Sequence, residues 1–326
     1  MNEKSIIELE KTVEKGYSNI VGISVLHEGK LQYEKYFNGC NQDSKVHVYS
    51  VSKSVISLLF GIALNQGYIQ DINQRVINFS PDYRILNNEK VVQNITLEDM
   101  LMMTVPYKYK FPPLTYMRYF MSKDWEKFTL NYLGGKGKIG DFNYTPLVGP
   151  DIFSAILMKA TKQTVFDFAQ ENLFKPLEIN IEKNIILNTV KEQTTFNKAT
   201  NISGWVCDTK GLNTGGWGLT LSVSDMAKIG QLILNKGMWQ DRRIVSSQWI
   251  EDSTTKHSHW DKVDLSYGYL WWILDPEQGI YAAMGDGGNI IYINQDKKLV
   301  VSIASLSANK VKDRVELIKK YIEPFV

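Results

Sequence analysis

The pattern of the 326-residue chain predicts an α+β fold, in which an antiparallel sheet is flanked by helices and accompanied by a mainly helical subdomain. Strand-like segments lie at both ends of the sequence, a long proline-broken stretch separates them, and a strongly apolar helix follows the first strand pair. Strands drawn from opposite ends imply a sheet that the chain leaves early and rejoins late. The expected organisation is one domain over 1–326, with an α/β part at about 1–65 and 205–326 and a helical insertion at about 66–204.

The elements follow in order. Ile6, Ile7, Leu9 and Val13 recur at helical spacing, so the chain opens on an amphipathic helix. Ile20 to Leu26 is β-branched and apolar, Glu28-Gly29-Lys30 supplies a turn, and Leu31 to Phe37 alternates; together they read as a hairpin. From Ser50 the period is helical, with Val51, Val55, Leu58, Leu59 and Ile62 apolar and Asn65-Gln66-Gly67 as the C-terminal stop. Pro81, Pro106, Pro112, Pro113, Pro146 and Pro150 break the middle, between helical stretches such as Leu97 to Met103 and Asp151 to Thr161. Ser224 to Leu234 returns to a helix, Gly237-Met238-Trp239 turns, and another helix starts within Val245 to Ile250. Strands are expected at Tyr267 to Ile273, Gly279 to Met284, Ile290 to Asn294 and Leu299 to Ser305, with a closing helix at about Lys312 to Tyr321.

Composition narrows the function. With 44% hydrophobic residues, the chain has ample material for a core. A formal net charge of +2, from 37 Lys+Arg against 35 Asp+Glu, gives no basic field for nucleic acid. Two cysteines, Cys40 and Cys207, make no disulfide framework, and no Cys/His spacing reads as a zinc site. His257 and His259 sit in a polar stretch and read as loop residues. No metal or cofactor is expected. Met1 to Lys15 lacks a signal peptide's apolar core, and no apolar run reaches about 18 residues, so a cytoplasmic protein without a membrane span is expected.

Chemistry enters at Ser50-Val51-Ser52-Lys53. Residues three apart on a helix share a face, with Cβ atoms about 5 to 6 Å apart, so the two side chains can touch. A serine hydroxyl needs a neighbouring base, and a lysine desolvated in an apolar wall has its pKa lowered enough to serve. A serine at a helix start also gains from the dipole and from free backbone N–H groups, one of which can face a developing oxyanion. Ser253-Thr254-Thr255-Lys256 and Ser307-Ala308-Asn309-Lys310 share the spacing, but only Ser50 opens a strongly apolar helix. Local sequence accommodates equally well a Ser50 that caps the helix and a Lys53 on its surface.

His47-Val48-Tyr49-Ser50-Val51-Ser52-Lys53-Ser54-Val55 resembles the Ser-x-x-Lys region of the serine β-lactamase and penicillin-binding family, especially the class C-like branch that includes 6-aminohexanoate-dimer hydrolases and related esterases. The likeness continues, in the family's order, through His27-Glu28-Gly29-Lys30, Ile95 to Leu101, Gly215-Gly216-Trp217-Gly218-Leu219, Tyr267 to Trp272 and Gly285-Asp286-Gly287-Gly288-Asn289. It implies a β-lactamase/transpeptidase-like fold over nearly the full chain.

In that family a Tyr-x-Asn motif supplies a tyrosine that shares proton transfer with the lysine. Tyr144-Thr145-Pro146 is its best match, giving Tyr144 that role and putting a proline where an asparagine amide would meet substrate. A place in an aromatic core is the other reading of Tyr144. A third motif, Lys-Thr-Gly or His-x-Gly, corresponds to Asp286-Gly287-Gly288, and the Asn289 N–H is expected to complete an oxyanion hole with that of Ser50. A tight hairpin would use the same glycines. Asp286 replaces a cation that grips a substrate carboxylate, which favours amine-bearing or neutral substrates.

Tyr107, Tyr109, Phe111, Tyr116, Tyr119, Phe120 and Trp125 line a pocket or form the core of the helical part, core being favoured; Trp217, Trp271 and Trp272 read as packing. The resulting expectation is acyl transfer to Ser50 from a small amide, ester or peptide-like substrate, with Lys53 and Tyr144 moving protons in a coupled titration. Its rivals are a D-alanyl-D-alanine peptidase or β-lactamase on the same fold, and a non-catalytic binding protein. Substrate identity and oligomeric state are left open.

Overall fold

The computed structural model describes residues 2–85, 89–108, 113–147 and 149–326. Tyr109, Phe111 and Pro112, singled out above, lie outside them. Eight strands form one antiparallel sheet in the order Lys30–Tyr36, Ile20–His27, Leu299–Ser305, Asn289–Asn294, Ile280–Gly285, Trp272–Asp275, Leu265–Tyr267, Ser258–Trp260. The first and last of these in sequence lie side by side, with Ile23 opposite Ile303 and Val25 opposite Val301.

Side chains alternate across the sheet, and both faces are covered. On one face Ile23, Val25, Tyr292, Val301 and Ile303 pack with Leu9 and Val13 of helix Glu3–Gly16 and with Leu317 and Ile318 of helix Arg314–Tyr321. On the other, Ile291, Ile293 and Val300 pack with Met226, Ile229 and Ile233 of helix Val223–Leu234. Helix Val51–Asn65 is buried on every side from Val51 to Ala63, as expected of a helix apolar all round. Gly61 is what lets Trp249 close on it, since a Cβ there would lie 2.1 Å from that indole. Among the described residues no helix is long and apolar enough to cross a membrane.

Several expectations are corrected. The strand expected over Tyr267 to Ile273 is a hairpin of two, Leu265–Tyr267 and Trp272–Asp275, with Tyr267 opposite Trp272. Leu270 adopts a left-handed φ of 64°, the Gly268 N–H donates to Trp271 O at 2.8 Å, and a Cβ on Gly268 would meet Ser253 O at 2.2 Å. Met238–Trp239 is a short strand paired with Arg242–Arg243 rather than a turn alone. His259 lies on the edge strand Ser258–Trp260, not in a loop, and His257 stacks on Tyr269 at 4.0 Å. The helix expected to reach Met103 ends at Leu101, Met103 having φ 56°. Tyr119 and Trp125 lie in an aromatic core with Tyr132, Phe196 and Trp217, whereas Phe120 is exposed and Tyr107 and Tyr116 are half-buried.

Candidate active site

Ser50 sits where a strand turns abruptly into a helix. The strand Val46–His47 pairs with Thr220–Leu221, and Val48 continues the contact by donating to Leu219 O at 3.0 Å. Tyr49 then takes φ 49°, a conformation costly for an aromatic residue, and turns the chain into the helix starting at Val51. Stacking on His47 at 3.8 Å holds Tyr49 there. Ser50 occupies the cap position without using its side chain as a cap, which leaves the hydroxyl free for other partners.

Lys53 is 1% exposed. Its Nζ donates to Ser50 Oγ at 2.8 Å, to Pro146 O at 2.8 Å and to Gly216 O at 3.2 Å. Burial pulls its pKa down to about 7, while the negative charges of Asp286 and Asp151 oppose the fall. A neutral amine keeps two hydrogens. With the two carbonyls accepting them, its lone pair falls toward Ser50 Oγ.

Tyr144 is half-buried. It packs among Trp260, Trp272 and Tyr267, with ring centroids at 6.1, 5.3 and 6.3 Å, and its hydroxyl lies near Ser50. Burial pushes its pKa up to about 12, partly offset by the nearby Ser50 hydroxyl. Lys53 Nζ lies 5.0 Å from its ring centroid. Pro146, which lacks the asparagine's amide, contributes its backbone carbonyl to Lys53.

The other carbonyl is positioned by side chains that sequence reasoning missed. The Gly215 N–H donates to Asp151 Oδ1 at 2.8 Å, and the Gly218 N–H to His47 Nε2 at 2.8 Å, so Gly216 between them is held from both sides. Glycine is needed because a Cβ on Gly215 or Gly216 would strike Pro150 O at 2.1 Å or Leu147 O at 2.7 Å. Nε2 of His47 accepts, which leaves the proton on Nδ1 to donate to Asn197 Oδ1 at 3.0 Å. Burial keeps this ring neutral, with its pKa pulled down to about 3. Asp151 is fully buried, also accepts from the Tyr119 hydroxyl, and has its pKa pushed up by burial to about 7. The sequence signal for this bracket was the Gly215-Gly216-Trp217-Gly218 run.

Residues 9–322 match the family model described as Beta-lactamase. The chain belongs to the β-lactamase family. It is 21% identical over 305 residues to a 6-aminohexanoate-dimer hydrolase of Paenarthrobacter ureafaciens, covering 86% of this chain and 71% of that protein. Among solved structures it is similar to a D-stereospecific amidohydrolase from Streptomyces sp., with a TM-score of 0.73, 13% identity and 100% of both chains covered. It is also similar to the octameric penicillin-binding protein homologue from Pyrococcus abyssi, with a TM-score of 0.68, 18% identity, and 96% of this chain and 76% of that one covered.

In this β-lactamase-family chain the strand glycine lying against the serine is Gly285. A Cβ there would lie 2.2 Å from Val48 O and 3.1 Å from Ser50 N. Pairing with Trp272–Asp275 stops at Ala282, so among the described residues Ala283 to Gly285 have no strand partner on that side. Gly287 and Gly288, with φ 79° and 84°, form the turn that follows, and they back onto Leu306 and Arg314. The Asn289 side chain ties strands together, donating to Asp286 O and Ser305 O at 2.7 and 3.1 Å and accepting from Ser305 N at 2.8 Å. Asp286 is exposed at the start of the turn. The structure thus brings Ser50, Lys53 and Tyr144 together, places Asp286 beside them and gives the Asn289 amide a structural task.

Proposed function

We propose that the protein is a serine hydrolase that cleaves a small amide or ester through an acyl-Ser50 intermediate. The observation that carries this reading is the Lys53 amine, buried without a carboxylate partner among the described residues and bound by Pro146 O, Gly216 O and Ser50 Oγ. A surface role for Lys53 does not fit this burial.

In the proposed cycle the neutral Lys53 amine takes the Ser50 proton as Oγ attacks the carbonyl carbon. The oxyanion faces the Ser50 N–H at the helix start and the N–H of Gly285, which we assign in place of that of Asn289 because Gly285 is the strand residue on Ser50 N. Tyr144, near Ser50 and beside Lys53, relays a proton to the leaving nitrogen or oxygen. Water then attacks the acyl carbon by the reverse relay, and Ser50 is released. The 6-aminohexanoate-dimer hydrolase and the D-stereospecific amidohydrolase to which the chain is similar support this class of reaction. A penicillin or D-alanyl carboxylate would meet Asp286, which disfavours the cell-wall and β-lactam alternatives.

The test is intact-protein mass spectrometry after a fluorophosphonate probe, alongside p-nitrophenyl ester turnover. Wild type should gain one adduct and turn over ester, Ser50→Ala should do neither, and Lys53→Ala should do both far more slowly. Folded wild type that takes no probe and turns over no ester points instead to a non-catalytic binding protein.

A further inference from the structure

We propose that the active site contains a subsite for a cation at Asp286, which selects substrates bearing an ammonium or amidinium group. Its use in turnover rests on the hydrolase reading above; its binding of a cation does not. Asp286 is exposed and directly follows Gly285, the glycine on Ser50 N. Its charge acts on Tyr49, Tyr116 and Tyr144 as well as on Lys53.

Among the described residues the Asp286 carboxylate has no ion pair. The nearby cations are committed elsewhere. Lys53 Nζ is taken by Ser50 and two carbonyls, and Arg314 donates to Asn19 Oδ1 at 2.7 Å, to Gly287 O at 3.3 Å and to Lys312 O at 3.1 Å.

The turn presenting Asp286 is also fixed from behind. Asn289 Nδ2 donates to the Asp286 carbonyl at 2.7 Å, and Asn19 Nδ2 donates to Gly287 O at 2.7 Å and to Leu306 O at 2.7 Å. A carboxylate carried on a pinned backbone and lacking an ion-pair partner among the described residues is preorganised for a cationic ligand, and it repels an anionic one.

The experiment compares hexylamine, hexan-1-ol and hexanoate at pH 8, where hexylamine is charged and Lys53 mostly neutral. Binding to Ser50→Ala is followed by ligand-observed NMR, with and without Asp286→Asn or Asp286→Lys, and inhibition of wild-type ester turnover is measured in parallel. Hexylamine should bind about ten-fold more tightly than hexanoate. Asp286→Asn should erase that order and Asp286→Lys reverse it. Equal affinities for the three ligands, or an amine preference that survives Asp286→Asn, overturns the proposal. The NMR arm needs no turnover, so it separates failure of the subsite from failure of the hydrolase reading.

Discussion

Lys53 Nζ lies 2.8 Å from Ser50 Oγ, and the two other hydrogen-bond partners of that amine are backbone carbonyls. Carbonyls accept from a neutral amine as well as from an ammonium, so they fix direction without supplying the full negative charge with which a carboxylate would hold the proton in place. Burial then decides the protonation state, which places it near neutrality.

Activity should therefore fall as pH drops through about 7, the region where Lys53 takes up its proton. Asp286 and Asp151 both favour the charged lysine, Asp286 more strongly. Asp286→Asn should move the acid limb of kcat/KM for a neutral ester to lower pH. Asp151→Asn should move it the same way by less. A limb that stays in place in both variants assigns it to another group.

The same lysine makes stability depend on pH. Its folded pKa lies below the ordinary 10.5, so the unfolded chain binds more protons between about 7 and 10.5. Stability gained from this group hence rises across that window, by at most about 1.4 kcal/mol per pH unit. Lys53→Met should flatten the rise, as read from urea midpoints at pH 7, 8.5 and 10.

Gly285→Ala tests the contact between strand and nucleophile turn. The new Cβ would sit 2.2 Å from a backbone oxygen, so the turn must move. Displacing the serine by a fraction of an ångström should cost about 100-fold or more in kcat, with a measurable drop in Tm. Circular dichroism separates loss of rate from loss of fold.

His47 works in the opposite pH range. Its folded pKa, about 3, lies below the ordinary 6.5, so stability from this group is present above 6.5 and is lost as pH falls toward 3. His47→Gln retains an acceptor for the Gly218 N–H and a donor for Asn197 without a titrating ring. It should weaken acid unfolding between pH 6 and 4 while preserving ester turnover at pH 8.

Where local pattern matched the forces acting, the fold was legible. Leu299 to Ser305 is a strand because its apolar, β-branched run lies between two paired neighbours. Tyr267 to Ile273 misled because a run of apolar residues conceals a bend that a left-handed φ at Leu270 and a tight contact at Gly268 impose. At the site, Ser50 and Lys53 were readable from helical spacing. The carbonyls of Pro146 and Gly216 were not, because every residue carries a carbonyl and only the tertiary fold says which one arrives. Asp151 and His47 act at one remove, through the Gly215–Gly218 loop, and had no local signature.

The pairing of Ile20–His27 with Leu299–Ser305 has a consequence for timing. The segment bearing Ser50 leaves the ribosome long before Gly285 and the strand that completes the sheet. Until those later strands dock, the nucleophile turn lacks the neighbour that shapes it, and the sheet stays incomplete. The nascent chain should thus carry its serine unarmed, and reactivity toward the fluorophosphonate probe becomes a marker for the final step of folding.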